Sequence, residues 1–146
     1  DIANRMNNKY GNLFTVPEPI MNKVGSRVMS LSNPLKKMSK SDDPNDKGCI
    51  YLLDDLNVSK KKIMSAVTDS DNTIVYDLEN KPGISNLLTI MSSLTGRTIE
   101  DIANEYNGKG YGEFKKAVAD AVGKQIAGTP FKRSLLSSGL PFLRIP

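Results

Sequence analysis

At 146 residues, with 38% hydrophobic residues and no tryptophan, the chain is long enough for one cored domain or for a piece of a larger protein, and too apolar to be disordered. A formal net charge of +4 permits a polyanionic partner without demanding one. With no histidine and the single cysteine Cys49, the chain can build no Ser–His or Cys–His triad, no internal disulfide and no zinc site of the usual kinds.

No apolar run approaches membrane-spanning length, so no membrane partner is expected, and the N-terminus lacks the charged-then-apolar order of a signal peptide. The chain starts at Asp1, inside the helical-looking "DIANRMNNKYG", and reads as a piece of something longer. Ile2, Ala3, Met6 and Tyr10 share one helical face there, and Gly11 closes it as a C-terminal cap would. "LFTVPEPI" reads as extended and broken at Pro17 and Pro19. "KVGSRVMSLSNP" has a glycine turn and an apolar patch, Val28, Met29 and Leu31, before Pro34. Then comes "KKMSKSDDPND", a lysine-serine loop ending in turn chemistry at Asp43-Pro44-Asn45. "CIYLL" is short and apolar, and Cys49 is expected to be a small half-buried hydrophobe.

Everything later reads as helix, in about four segments. Ile63, Ala66 and Val67 form a short stripe behind Asp54-Asp55. In "KPGISNLLTIMSSLTG" the residues Ile84, Leu87, Leu88, Met91 and Leu94 recur at helical spacing, with Pro82 near the start and Gly96 at the end. Thr98 and Asp101 resemble a capping pair for "IEDIANEY", and Phe114, Ala117, Val118, Ala121 and Val122 share the last face. After Gly123 no period is sustained. From the residues alone the fold class is mostly α, a short α/β remnant followed by a helical bundle.

Several patterns carry a bland reading. The glycines of "NGKGYGEF" have no phosphate-loop spacing and read as a helix-ending turn. Lys60-Lys61-Lys62 reads as a solvated helix face before a tRNA grip. Asp42, Asp43 and Asp46 do not match a calcium loop. Asp54-Asp55 and Asp69-Ser70-Asp71 read as helix-terminal and turn residues, and Tyr106 and Tyr111 as buried between helices rather than stacked on a base.

The lysine loop is different. Lys37 and Lys40, alternating with Ser39 and Ser41, can surround a multiply charged oxyanion, because lysine is a point charge on a flexible stem. On charge pattern alone a solvated loop is the commoner outcome. The literal string Lys37-Met38-Ser39-Lys40-Ser41, however, occurs by chance about once in a thousand chains of this composition. It is the second signature of class I aminoacyl-tRNA synthetases. With "KVGSRVMSLSNPLKKMSKSD", "IYLLDD", "KKIMSAVTDSD", "KPGISNLLTIMSSLTG" and "YNGKGYGEFKKAVAD", it closely resembles the C-terminal half of the bacterial tryptophanyl-tRNA synthetase family, from Asp1 to about Val122. The tyrosyl family is the nearest relative and shares a lysine-serine loop.

The resemblance implies the end of a Rossmann-type class I catalytic domain over residues 1–50, including the loop, and a helical domain on the tRNA anticodon side over residues 51–122. Residues 123–146 form an atypical tail, for which disorder and a non-native origin both stand. The family activates tryptophan with ATP, and Mg2+ with it, then charges tRNA(Trp) in the cytoplasm. Lys37 and Lys40 would meet the pyrophosphate portion as catalytic groups, with Ser39 and Ser41 as hydroxyl donors. Main chain at Val28 and Met38 would contact adenine, and Arg27 would couple the loop to the rest of the domain. The first, histidine-rich signature and the tryptophan pocket belong to the half not represented here. The chain alone is therefore expected to be catalytically inert and monomeric, from a homodimeric parent. The rival reading is a non-catalytic helical RNA-binding module that retains a lysine-serine loop.

Overall fold

A computed structural model of the chain describes residues 2–19, 27–41, 43 and 45–128. The turn expected at Gly25, the residues Asp42 and Pro44, and the tail from Thr129 onward lie outside the described residues. Among the described residues five helices follow in order: α1 (Ile2–Tyr10), α2 (Leu56–Met64), α3 (Pro82–Thr95), α4 (Ile99–Tyr106) and α5 (Tyr111–Gly128). Among the described residues the only extended pairing is an isolated antiparallel bridge between Met29 and Lys37. The fold is mostly α, as the periodicity indicates.

α3 is the axis of the molecule. Pro82 fills its first turn, where a missing N–H leaves nothing unsatisfied, and Gly96 ends it in the left-handed region (φ 70°), donating its N–H to Ser92. Every residue from Gly83 to Ser92 is buried, so the helix is enclosed on all sides. α5 packs against both α2 and α3, and α4 against α3. The core so formed runs through Leu31, Ile63, Ile74, Leu87, Leu88, Ile102, Phe114 and Val118, and Val28, Met38 and Ile50 lean on it from the loop side. Phe114 is completely buried and its ring meets that of Tyr106 at 5.2 Å between centroids, tilted by 56°. Burial of such a side chain contributes about 2–3 kcal/mol. Tyr111 is buried as expected.

The helix ends are set by the residues the sequence offers. Asp55 caps α2, its carboxylate accepting from the Asn57 N–H at 2.8 Å. Thr98 caps α4 by accepting from the Asp101 N–H, and its hydroxyl donates to the Asp101 carboxylate at 2.7 Å. The shorter aspartate thus meets the capping hydroxyl itself. Gly11 closes α1 with φ 87°. No residue of α1 is buried, so the apolar face of that helix finds no cover within the described residues.

Three expectations fail. The last helix does not stop at Val122: α5 continues to Gly128, and Ile126 joins the core at 6% exposure, one turn beyond Val122. Gly123 interrupts the sequence pattern without breaking the helix, because Lys124, Gln125 and Ala127 are good helix formers. A Cβ on Gly123 would meet nothing within 4 Å. Gly123→Ala is therefore expected to stabilise the fold by about 0.5–1 kcal/mol, a rise of about 1–4 °C in a calorimetric melt.

The lysine run is not one solvated face either. Lys60 and Lys61 are exposed, but Lys62 is 7% exposed. Its ammonium donates to the Asp54 carboxylate at 2.7 Å and to the Cys49 carbonyl at 2.8 Å, and lies 4.9 Å from the Tyr51 ring centroid. Burial of a charge requires such partners, and they tie the strand-like segment after the loop to α2. Cys49 is fully rather than half buried.

A second polar cluster joins the turn before α3 to the start of α5. Lys81 donates to Asp69 at 3.2 Å, Asp71 at 3.0 Å and the Tyr111 hydroxyl at 3.4 Å, while that hydroxyl lies 2.6 Å from Asp69. Burial by itself would raise the Asp69 carboxyl, but the Tyr111 hydroxyl, the Asp71 N–H and Lys81 outweigh it and hold it below its ordinary value. A depressed carboxyl contributes stability that is present above the unfolded pKa of about 3.9 and lost as pH falls through the folded value. Melting midpoints followed from pH 6 to pH 2 should therefore fall on the acid limb. In Asp69→Asn the midpoint should start lower and fall less steeply there.

Candidate functional site

The signature residues sit on a hairpin-like arm whose position is set by main-chain hydrogen bonds. The Met38 N–H donates to the Val28 carbonyl at 3.0 Å and the Ser30 N–H to the Lys36 carbonyl at 2.8 Å, on either side of the Met29–Lys37 bridge. Asn33 and Pro34 turn the chain between the two arms, with the Lys36 N–H donating back to the Asn33 carbonyl at 3.0 Å. Val28 and Met38 are half-buried against the core. Lys37, Lys40 and Ser41 are exposed, and Ser39 is half-buried with its hydroxyl accepting from the Ser41 N–H at 3.2 Å. The arm thus brings Lys37, Met38, Ser39, Lys40 and Ser41 together opposite Val28, with exposed Arg27 one residue beyond it.

The far end of the loop is closed by a polar neck. The Leu31 N–H donates to the Gly48 carbonyl at 2.9 Å, and the Val67 N–H to the Leu31 carbonyl at 2.8 Å. The Asp46 carboxylate accepts from the Gly48 N–H at 3.0 Å and from the Ser32 hydroxyl at 3.2 Å, and Ser32 pairs with Ser30 at 3.1 Å. Asp43 accepts from the Asn45 N–H at 2.8 Å, the turn expected there. A Cβ on Gly48 would collide with both the Ser30 and Ser32 hydroxyls, so a larger residue there would have to displace both from the neck. The signature lysines Lys37 and Lys40 are thus exposed, while Val28 and Met38 of the same arm lean on the core.

Beneath the arm, Val28, Met38 and Ile50 line an apolar hollow of about 350 Å3 with Ile90 and Leu94 of α3 and Val122 and Ile126 of α5. Such a surface suits a planar apolar group more than a charged one. Among the described residues no three His, Cys, Asp or Glu side chains converge as a metal site would need. Asp43 and Asp46 are engaged in loop closure instead.

One residue that sequence reasoning passed over is central. The Asn86 side chain, from the middle of α3, accepts from the Met29 N–H at 2.8 Å and donates to the Met29 carbonyl at 2.7 Å. The only sequence signal was an amide inside the apolar run "ISNLLTI". Ser30, Ser32 and Gly48 were likewise missed, since nothing in their local sequence marks a neck.

Comparison with known proteins follows the same lines. A tryptophan–tRNA ligase of Oceanobacillus iheyensis is 57% identical over 122 residues, 84% of this chain and 37% of that relative. The chain therefore spans little more than a third of the length of the curated relatives it matches. The crystal structure of tryptophanyl-tRNA synthetase from Mycoplasma pneumoniae superposes with a TM-score of 0.74 at 33% identity, over 92% of this chain and 42% of that one. That of Campylobacter jejuni, complexed with ADP and tryptophan, superposes with a TM-score of 0.56 at 27% identity, over 94% and 41%. The profile of the family described as "tRNA synthetases class I (W and Y)" matches residues 1–126. A pinned arm bearing the class I signature, with likeness in sequence and fold along most of its length, leaves one assignment: the chain belongs to the class I tRNA synthetases of the tryptophan and tyrosine family.

Proposed function

We propose that the chain is the signature-loop and helical portion of a tryptophan–tRNA ligase, which activates tryptophan with ATP and passes it to tRNA(Trp). The observation that carries this reading is the arm itself: Lys37 and Lys40 exposed on a segment fixed by main chain to the core. When the tryptophan carboxylate attacks the α-phosphate, negative charge builds on the departing pyrophosphate. Two ammonium groups positioned for that charge lower the barrier, each by about 2–4 kcal/mol. Ser39 and Ser41 supply hydroxyl donors beside them. The Met38 N–H is already engaged by Val28, so the Met38 carbonyl and the Val28 N–H are the main-chain groups proposed for adenine, above the apolar hollow. Arg27 is proposed to couple the arm to the rest of the catalytic domain. Mg2+ is proposed to travel with the triphosphate, its counter-charge, rather than on carboxylates of this chain.

Residues 1–50 are proposed as the end of the nucleotide-binding domain and the helices from residue 51 to Gly128 as the tRNA-side domain. The tryptophan pocket and the first signature are assigned to the part of the enzyme outside this chain, as is the dimer contact, and the reaction to the cytoplasm. The ADP and tryptophan named for the Campylobacter jejuni structure and the ligase names of the relatives support the choice of substrates.

The test is tryptophan-dependent ATP–pyrophosphate exchange. The chain alone should give background rates, and rates above background should return when it is mixed with the remaining portion of the Oceanobacillus iheyensis relative. A mixture whose parts associate and stay silent, with tRNA still bound to the chain and indifferent to ATP, favours a plain RNA-binding module instead.

A further inference from the structure

Met29 occupies the wide position of the bridge to Lys37. The two hydrogen bonds flanking that bridge belong to Ser30 with Lys36 and to Met38 with Val28, so the N–H and carbonyl of Met29 itself point away from the partner arm. In a sheet they would meet a third strand. Here both meet Asn86, at 2.8 Å and 2.7 Å. We propose that Asn86 is a positioning residue for the signature loop, its carboxamide serving as a one-residue strand that fixes the arm carrying Lys37 and Met38 to α3.

The chemistry is specific. A carboxamide carries one acceptor and one donor at the spacing of a peptide group, so it can satisfy both main-chain atoms of one residue at once. Asn86 is 4% exposed and lies beside Leu87 and Leu88, which are fully buried. The arm is therefore referenced to the best-packed element of the molecule, at a site 57 residues away in sequence. Aspartate has the same shape but, ionised, offers acceptors only and faces the Met29 carbonyl with repulsion. Leucine fills the space and pairs with neither atom. The functional meaning of the clamp rests on the nucleotide reading given above, whereas the clamp itself does not.

The experiment is amide hydrogen exchange by NMR on the full chain, comparing the parent with Asn86→Leu and Asn86→Asp. In Asn86→Leu, protection at Ser30 and Met38, whose N–H groups Asn86 does not touch, should fall about tenfold or more, with Leu88 and Val118 unchanged. In Asn86→Asp it should be lost at neutral pH and return on acidification, because a protonated carboxyl again has one donor and one acceptor. A residue that merely fills space would not show that return. Unchanged protection at Ser30 and Met38 in Asn86→Leu overturns the proposal, as does an Asn86→Asp profile indifferent to pH, or a loss spread equally over α3 and α5. A parallel titration with Mg2+ and inorganic pyrophosphate, read at Lys37 and Lys40, should show weaker binding in Asn86→Asp at neutral pH. No binding to the parent chain leaves the nucleotide reading to the pyrophosphate-exchange assay of the reassembled enzyme, and the hydrogen-exchange result still decides the clamp.

Discussion

Replacing Lys40 by alanine is expected to slow tryptophan-dependent pyrophosphate exchange by about 10²–10³-fold in the reassembled enzyme, with the fold intact. The side chain is exposed, so its loss opens no cavity and leaves no buried partner unsatisfied. What is removed is a cation proposed to act as charge moves onto the leaving pyrophosphate, and groups of that kind are worth about 3–4 kcal/mol in the transition state. The deficit should appear in kcat more than in KM for tryptophan, whose pocket is proposed to lie outside this chain. Lys37→Ala should behave similarly, and the double variant should lose less than the product of the two, since both ammonium groups act on one charge. Initial rates in the exchange assay, with far-ultraviolet circular dichroism to confirm folding, check the expectation. A loss under about threefold for Lys40→Ala would remove it from the catalytic groups.

Gly83→Ala is expected to have the largest effect on stability, about 3 kcal/mol or about 6–12 °C in the thermal midpoint. Alanine is ordinarily the better helix residue, so the sign depends entirely on what the new methyl meets. Here it lands on the Val67 carbonyl oxygen, well inside contact distance, and a main-chain atom cannot rotate away. Val67 is itself held, its N–H donating to Leu31 at 2.8 Å, and Leu31 closes the neck of the loop through Gly48. Relief of the clash therefore pulls on the neck, and exchange at Leu31 should rise with the fall in midpoint. Gly123→Ala, in open space, is the opposite-sign control. A Gly83→Ala protein that melts at or above the parent midpoint would show that α3 can shift without cost.

Legibility in the sequence followed the range of the interactions. α3 was readable because its period, Pro82 and Gly96 are all local, and the signature string was readable because five adjacent residues carry it. Lys62 was not, because within a triplet of lysines nothing local says which one turns inward to Asp54 and Cys49. Asp69 and Asp71 read correctly as turn residues, yet their pairing with Lys81 and Tyr111 spans up to 42 positions. The end of α5 was placed short because no period is sustained after Gly123, whereas one further apolar residue, Ile126, reaches the core. Asn86 was invisible for a deeper reason: its partner is a peptide group, and a peptide group has no letter in the sequence.

That last point bears on how this region tolerates change. Met29 is held entirely by atoms that every residue except proline shares, so its side chain is free of the clamp. A saturation library should find position 29 permissive to most polar and apolar replacements and closed to proline, which lacks the donated N–H. Position 86 should admit almost none. A map of variant fitness would then show a quiet position and a strict one touching each other, and would place a constraint on the signature loop in a helix that carries none of the signature residues.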